Sequence, residues 1–208
     1  MKFIVGTKTG MTQVFDEKGI CHAATILKVE EHRVTQVKTA ERDGYTAVQL
    51  ATGADKAHRM NKAAAGHLKT AARIVREFRP QTGKESEVAG VEGNTTLTAG
   101  IFTPGDVVEV TAISKGKGFQ GVVKRHGFRG GSRTHGQKHS EREPGSIGAT
   151  GFMRVIKGTR MAGRMGSDTI TVKNLRVLQV NPEENLLLVS GAVPGRNGAI
   201  VEVRGLTK

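Results

Sequence analysis

Apolar residues in this chain fall into short runs, several of them strictly alternating, with turn-forming residues between them. From Lys2 to Ala51 the runs are KFIVGT, MTQVF, CHAATILKV, RVTQVK and TAVQLA. Lys8-Thr9-Gly10, Asp16-Glu17-Lys18-Gly19 and Glu41-Arg42-Asp43-Gly44 punctuate them. β-Branched residues at that spacing predict antiparallel strands of a barrel or sandwich. Within TAVQLA, Val48 and Leu50 face one way, and Ala47 and Gln49 the other. The same pattern returns in ARIVREF, VVEVTAI, TITV, LRVLQV, LLLVS and AIVEV. Asp55 to Ala72, rich in Ala and Lys, is the one helical candidate, with Asn61 as a possible N-cap. Its Gly66 costs about 1 kcal/mol relative to Ala. Gln81 to Thr96 is polar and Gly-rich and shows no period. The expected fold is one β-domain with two insertions, one helical and one basic.

The basic insertion, Ser114 to Gly166, breaks the pattern altogether. Its 53 residues hold 13 Gly and 12 Lys or Arg, against only Glu141 and Glu143. That is a net +10 of the chain's +13. Too few of its residues are apolar to bury a core. The segment therefore requires a polyanionic partner. A membrane surface fits poorly, because there is no Trp and so much Gly cannot hold an amphipathic helix. Phe119, Phe128, Phe152, Met153, Ile156 and Met165 interleave with the cations. Phosphates neutralised by charge and rings stacked on exposed bases favour folded RNA over open duplex DNA. No apolar run approaches the ~18 residues of a membrane span, and no signal peptide begins at Met1. The single Cys21 fits a reducing compartment.

Several motifs resemble catalytic or metal sites. Gly116-Lys117-Gly118-Phe119-Gln120-Gly121 matches GxGxxG, but the following VVKRHGFRGG is expected not to sustain the helix a dinucleotide site requires. His126, His135 and His139 lack matching Cys or carboxylate partners, so they read better as phosphate or base contacts than as metal ligands. Ser146 lacks the nucleophile-elbow spacing, and Cys21 beside His22 reads as an ordinary strand cysteine. No cofactor, metal, small-molecule substrate or enzymatic activity is expected.

The chain resembles the bacterial-type family of the third large-subunit ribosomal protein along its whole length. VGTKTGMTQVF, DGYTAVQL, NKAAAGHLKTA, SKGKGFQGVVKRHGF, REPGSIG, KGTRMAGRMG, ITVKNLRVL and ENLLLVSGAVPG carry the resemblance. It implies a mainly β fold: a six-stranded barrel of the translation-protein type, residues 1–113 and 167–208, with a small α+β insertion at about 53–100. Residues 114–166 become a long extended loop that penetrates large-subunit rRNA toward the peptidyl-transferase region. Binding early in assembly near the 3′ end of that rRNA, beside neighbouring large-subunit proteins, is also implied. So is a cytoplasmic ribosome, with an organellar one left open. An RNA chaperone or non-ribosomal nucleic-acid-binding protein is the alternative.

Carried over by position, Lys115, Lys117, Lys124, Arg125, Arg129, Arg133, Lys138, Arg142, Arg154, Lys157, Arg160 and Arg164 become rRNA contacts, joined by His126, His135 and His139. Outside the loop, Lys8, Arg59, Lys62 and Lys69 are expected to add contacts. The chain departs from the family pattern twice. His126 stands where many relatives carry Trp, and GSIG runs into Ala149-Thr150-Gly151-Phe152 without the Gln that some relatives methylate.

Overall fold

In the computed structural model the described residues are 2–54, 57–68, 71–80, 88, 91 and 93–206. The first strand, β1 (Phe3–Phe15), opens on a run with no polar side chain. Such a run suits a strand buried on both faces. The break expected at Lys8-Thr9-Gly10 is a β-bulge inside one long strand rather than a turn. Against β2 (Cys21–Lys28) the register shifts between Lys8 and Gly10. A glycine within an alternating run marks a bulge as readily as a turn. β1 pairs over residues 3–7 with a strand from the far end of the sequence, and over residues 7–15, across the bulge, with β2.

Two further strands follow β2: β3 (His32–Lys38) and, after the short helix α1 (Ala40–Asp43), β4 (Ala47–Thr52). Helix α2 (Lys62–Leu68) and strand β5 (Ile74–Phe78) come next, then the two-residue β6 (Thr96–Leu97). These strands form a separate four-stranded sheet in the order β5-β4-β3-β6. RVTQVK and TAVQLA therefore leave the first sheet, contrary to expectation, and the inserted layer begins at β3. Alternation fixes the face a side chain takes, but not the strand that lies alongside.

The helical expectation over 55–72 contracts to α2. Asn61 caps it as expected, its side-chain oxygen accepting the Ala64 N–H at 2.7 Å. Residues 55, 56, 69 and 70 and most of 81–92 lie outside the described residues.

The first sheet is completed by β7 (Val107–Ile113), β10 (Thr169–Asn181), β11 (Leu186–Ser190) and β12 (Ile200–Gly205). The two short strands β8 (Gly118–Gln120) and β9 (Gly163–Met165) lie between β7 and β10 in the sequence. All pairings are antiparallel, and the six strands close on themselves in the order β1-β12-β7-β10-β11-β2. TITV and LRVLQV merge into the single strand β10, which absorbs a register shift between Val172 and Leu175 with Asn174 at φ +60°.

Two apolar cores result, and β1 serves both. Ile4 points into the first with Leu27, Val108, Val110, Val177, Leu187, Val189, Val201 and Val203. Its neighbours Phe3 and Val5 point the opposite way, into a second core with Val34, Val48, Leu50 and Phe78. The Phe3 and Phe78 rings lie 4.9 Å apart. Each such side chain contributes about 1.5–3 kcal/mol on full burial. Where β1 has diverged from β2, the Val5 N–H is accepted by Nε2 of the fully buried His32 at 2.8 Å. That bond puts the neutral ring's proton on Nδ1, which has no partner among the described residues. Lys8, at the bulge, is buried too. Its ammonium donates to the carbonyls of Val193 at 2.6 Å and Gly195 at 3.3 Å.

Lys8→Met leaves those two carbonyls short of a donor, so a loss of about 1–3 kcal/mol is expected. Thermal unfolding should show a fall in Tm of about 2–12 °C, and an unchanged Tm would refute the role. Burial holds the His32 pKa below its usual 6.5. The unfolded chain then takes up a proton that the folded chain refuses. This ring's contribution is intact above pH ~6.5 and erodes as pH falls toward the depressed folded value, by at most about 1.4 kcal/mol per pH unit. Urea unfolding from pH 7.5 to 5 should show this slope in the native chain and a shallower one in His32→Gln. Identical slopes would rule out His32 as its source.

Candidate nucleic-acid interface

Residues Ser114–Asp168 form a compact unit distinct from Met1–Ile113 with Thr169–Lys208. At its base, β8 (Gly118–Gln120) pairs antiparallel with β9 (Gly163–Met165). The Lys117 N–H donates to Met165 O at 3.0 Å, and the Ser114 N–H to Asp168 O at 2.9 Å. Gly166 makes this closure possible: at φ +77° it packs where a side chain would strike the Lys115 carbonyl.

A five-residue helix, α3 (Val122–His126), follows β8, although the sequence was expected not to sustain one there. Glycines at both ends explain it. Gly121 is the N-cap, and Gly127 at φ +73° returns its N–H to Val123 O at 3.0 Å. One turn needs no long run of helix formers once its ends are closed. The GxGxxG match thus spans strand β8 and ends at a helix of little more than a single turn.

α3 presents its basic residues unequally. Lys124 is exposed, whereas Arg125 and His126 are half-buried. The Arg125 guanidinium donates to Met161 O at 2.8 Å, and His126 Nε2 lies 3.0 Å from the same carbonyl. The guanidinium also lies so close over Gly163 that a Cβ there would sit 2.6 Å from Nη1. These two side chains tie α3 to the returning segment, a role the sequence did not announce. The tell was Gly163, which reads in sequence as one more flexible glycine.

The other eleven cations (Lys115, Lys117, Lys124, Arg129, Arg133, Lys138, Arg142, Arg154, Lys157, Arg160 and Arg164) are all exposed. Arg133 pairs with Glu141 at 2.7 Å, but on an open surface that is worth about 0–1 kcal/mol. His135 and His139 are exposed, and His135 sits at φ +58°, in a turn rather than on a helix face. The Ser146 hydroxyl donates to Gly148 O at 2.9 Å. Cys21 is exposed on β2, its sulfur 3.7 Å from Gln13 Oε1.

Apolar side chains in this unit behave as the charges do. Val122 is its one buried hydrophobic, while Phe119 is 77% exposed, Phe152 65% and Ile156 59%, and Met153 is fully exposed. The unit thus presents cations and uncovered apolar groups side by side, with almost nothing packed beneath them. Charge for phosphates and flat or flexible apolar groups for bases is the combination that binds irregular RNA.

Outside this unit, Arg59 and Lys62 are exposed, on a 3-10 turn (Ala57–Arg59) and on α2. Lys69 lies outside the described residues. Lys8 is a correction: buried at 8% exposure with its ammonium on two carbonyls, it has no charge to offer a ligand. No helix among the described residues is long and apolar enough to cross a membrane.

Comparison with known proteins agrees with this surface. The family model described as Ribosomal protein L3 matches residues 75–186. Curated relatives named large ribosomal subunit protein uL3 match nearly end to end. The Acidothermus cellulolyticus protein is 49% identical, covering 100% of this chain and 94% of its own. The Thioalkalivibrio sulfidiphilus protein is 50% identical, over 97% and 95% of the two chains. That of Vibrio parahaemolyticus is 48% identical, over 99% and 98%. With more than half the chain matched by the family model and full-length relatives near 50% identity, this chain belongs to the ribosomal protein L3 family.

Proposed function

We propose that this chain is a structural constituent of the large ribosomal subunit, with residues 114–166 as its principal rRNA-binding segment and with no catalytic activity of its own. One observation carries the reading: eleven exposed cations lie beside uncovered Phe119, Phe152, Met153 and Ile156 in a unit with a single buried hydrophobic. Such a surface gains its free energy from a polyanion that also offers apolar faces, and folded RNA does both. Membership of the L3 family points to the same partner.

On this reading the closed six-stranded sheet is a translation-protein-type barrel at the subunit surface. The basic segment reaches into rRNA toward the peptidyl-transferase region, and neighbouring large-subunit proteins flank the rest. Assembly is early, near the 3′ end of the rRNA, in the cytoplasm. Arg59 and Lys62 add a second contact, and Arg125 and His126 shape the segment before they touch RNA.

Binding to a large-subunit rRNA fragment should depend steeply on salt. With half of the 12 basic-segment cations on phosphates, log K against log salt slopes by about −4 or steeper. Replacing Arg154, Lys157, Arg160 and Arg164 with Ala should make the slope shallower by up to about 3, at roughly 0.7 per lost contact. Lys8→Met, although it weakens the fold, should leave the slope where it was. A native slope near −1, or a slope that moves with Lys8, would contradict the proposal.

A further inference from the structure

Within residues 114–168, a cavity of about 500 Å³ is lined by Phe128, Arg129, Gly130, Gly131, Glu143 and Pro144 among others. Its volume lies in the range of about 300–1,000 Å³ that holds small organic ligands. Its two sides meet through glycines: a Cβ on Gly131 would sit 2.7 Å from Ser140 O, and one on Gly130 would collide with Glu141 O. The two glycines thus let the returning chain pack backbone to backbone and close that side of the cavity. Phe128 and Pro144 supply apolar faces, and Arg129 an exposed guanidinium at the rim.

The fourth chemical element is Glu143. Of the two carboxylates in the basic segment, Glu141 is held by Arg133, whereas Glu143 makes no hydrogen bond or ion pair among the described residues. Beside a polyanion, an unpaired carboxylate is repulsive unless donors meet it. RNA offers two kinds of donor, 2′-hydroxyls and base N–H groups. Guanine alone presents two N–H donors side by side, N1–H and N2–H, matched to the two oxygens of one carboxylate. Adenine and cytosine present one amino group. Uracil presents one imino group between two carbonyls that repel the carboxylate.

We infer that this cavity is a subsite for a single unstacked guanine base, with Glu143 on its Watson–Crick edge, Phe128 and Pro144 against its face and Arg129 on an adjacent phosphate. The inference rests on the RNA-binding reading above and adds base selectivity to it. Unstacked bases held on aromatic faces and read at their edges are how proteins recognise single-stranded RNA by sequence.

The test uses the full chain and labelled single-stranded hexamers in fluorescence anisotropy at fixed salt. The probes are hexauridylate and the same hexamer with one central guanosine or one central inosine. The native chain should prefer the guanosine hexamer over hexauridylate by about fivefold or more, the low end expected for a bidentate contact. Inosine, which lacks the N2 amino group, should lose most of that preference. Glu143→Gln should bind hexauridylate more tightly, because a repelling charge is gone, yet prefer guanosine by less than twofold.

Three results would overturn the subsite while leaving RNA binding intact. They are equal affinity of the native chain for all three hexamers, inosine as good as guanosine, and a preference that survives Glu143→Gln. In the last case Glu143 is only a repelling charge, or the partner of another protein's basic side chain. No salt-dependent binding of any hexamer by the native chain would instead overturn the RNA reading, and the subsite with it.

Discussion

Everything in the β-structure hangs on β1 being buried on both faces at once. Its first residues send Ile4 into one core and Phe3 and Val5 into the other, so neither layer can shift without the other. Double burial removes water from the backbone, and each amide must then find a partner inside the protein. β12 satisfies one edge. The other edge is abandoned where β2 turns away, and there His32 accepts the Val5 N–H. A neutral imidazole suits that place because it accepts on one nitrogen without bringing a charge. The cost is a buried Nδ1 proton with no partner among the described residues, and a ring that resists protonation. Arg76 bonds Glu202 across the same junction at 2.8 Å, adding a half-exposed ion pair to a contact that apolar packing already sets.

Residues 114–168 follow the opposite logic. Hydrogen bonds close the base and α3 is capped by glycines, but one buried valine is no core. Like charges repel over a screening length of about 8 Å at physiological salt. Ordering glycine-rich backbone costs about 1–2 kcal/mol per residue. The chain leaves this cost to be offset by a partner rather than by its own packing. That division explains how one sequence holds both alternating strands and a long stretch with no period at all.

Strands and the basic segment were legible in sequence because each follows from a local property: alternation in one case, composition in the other. The N-cap was legible for the same reason, since Asn61 acts only on the turn beside it. Sheet membership of β3 and β4 was not, because the pattern that buries Val48 and Leu50 is the same whichever strand lies alongside. Gly10 reads identically as a turn or a bulge, and only the pairing of β1 with two different strands decides it. Lys8 was misplaced because a lysine in a polar triplet looks like surface. Its burial depends on carbonyls 185 and 187 residues away. Arg125 was carried over by position as an rRNA contact, and its hold on Met161 appears only when the segment folds back.

The central claim is that the basic segment is ordered by RNA, whereas the strands are ordered by their own cores. Amide hydrogen exchange on the free chain and on the chain bound to its rRNA fragment measures both at once. In the free chain, amides of β1, β7, β10 and β12 should exchange slowly, and those of residues 128–162 within seconds to minutes. On binding, residues 114–166 should gain protection while the strands change little. Strong protection of 128–162 in the free chain would contradict the account, because the segment would then be stabilised by something other than RNA.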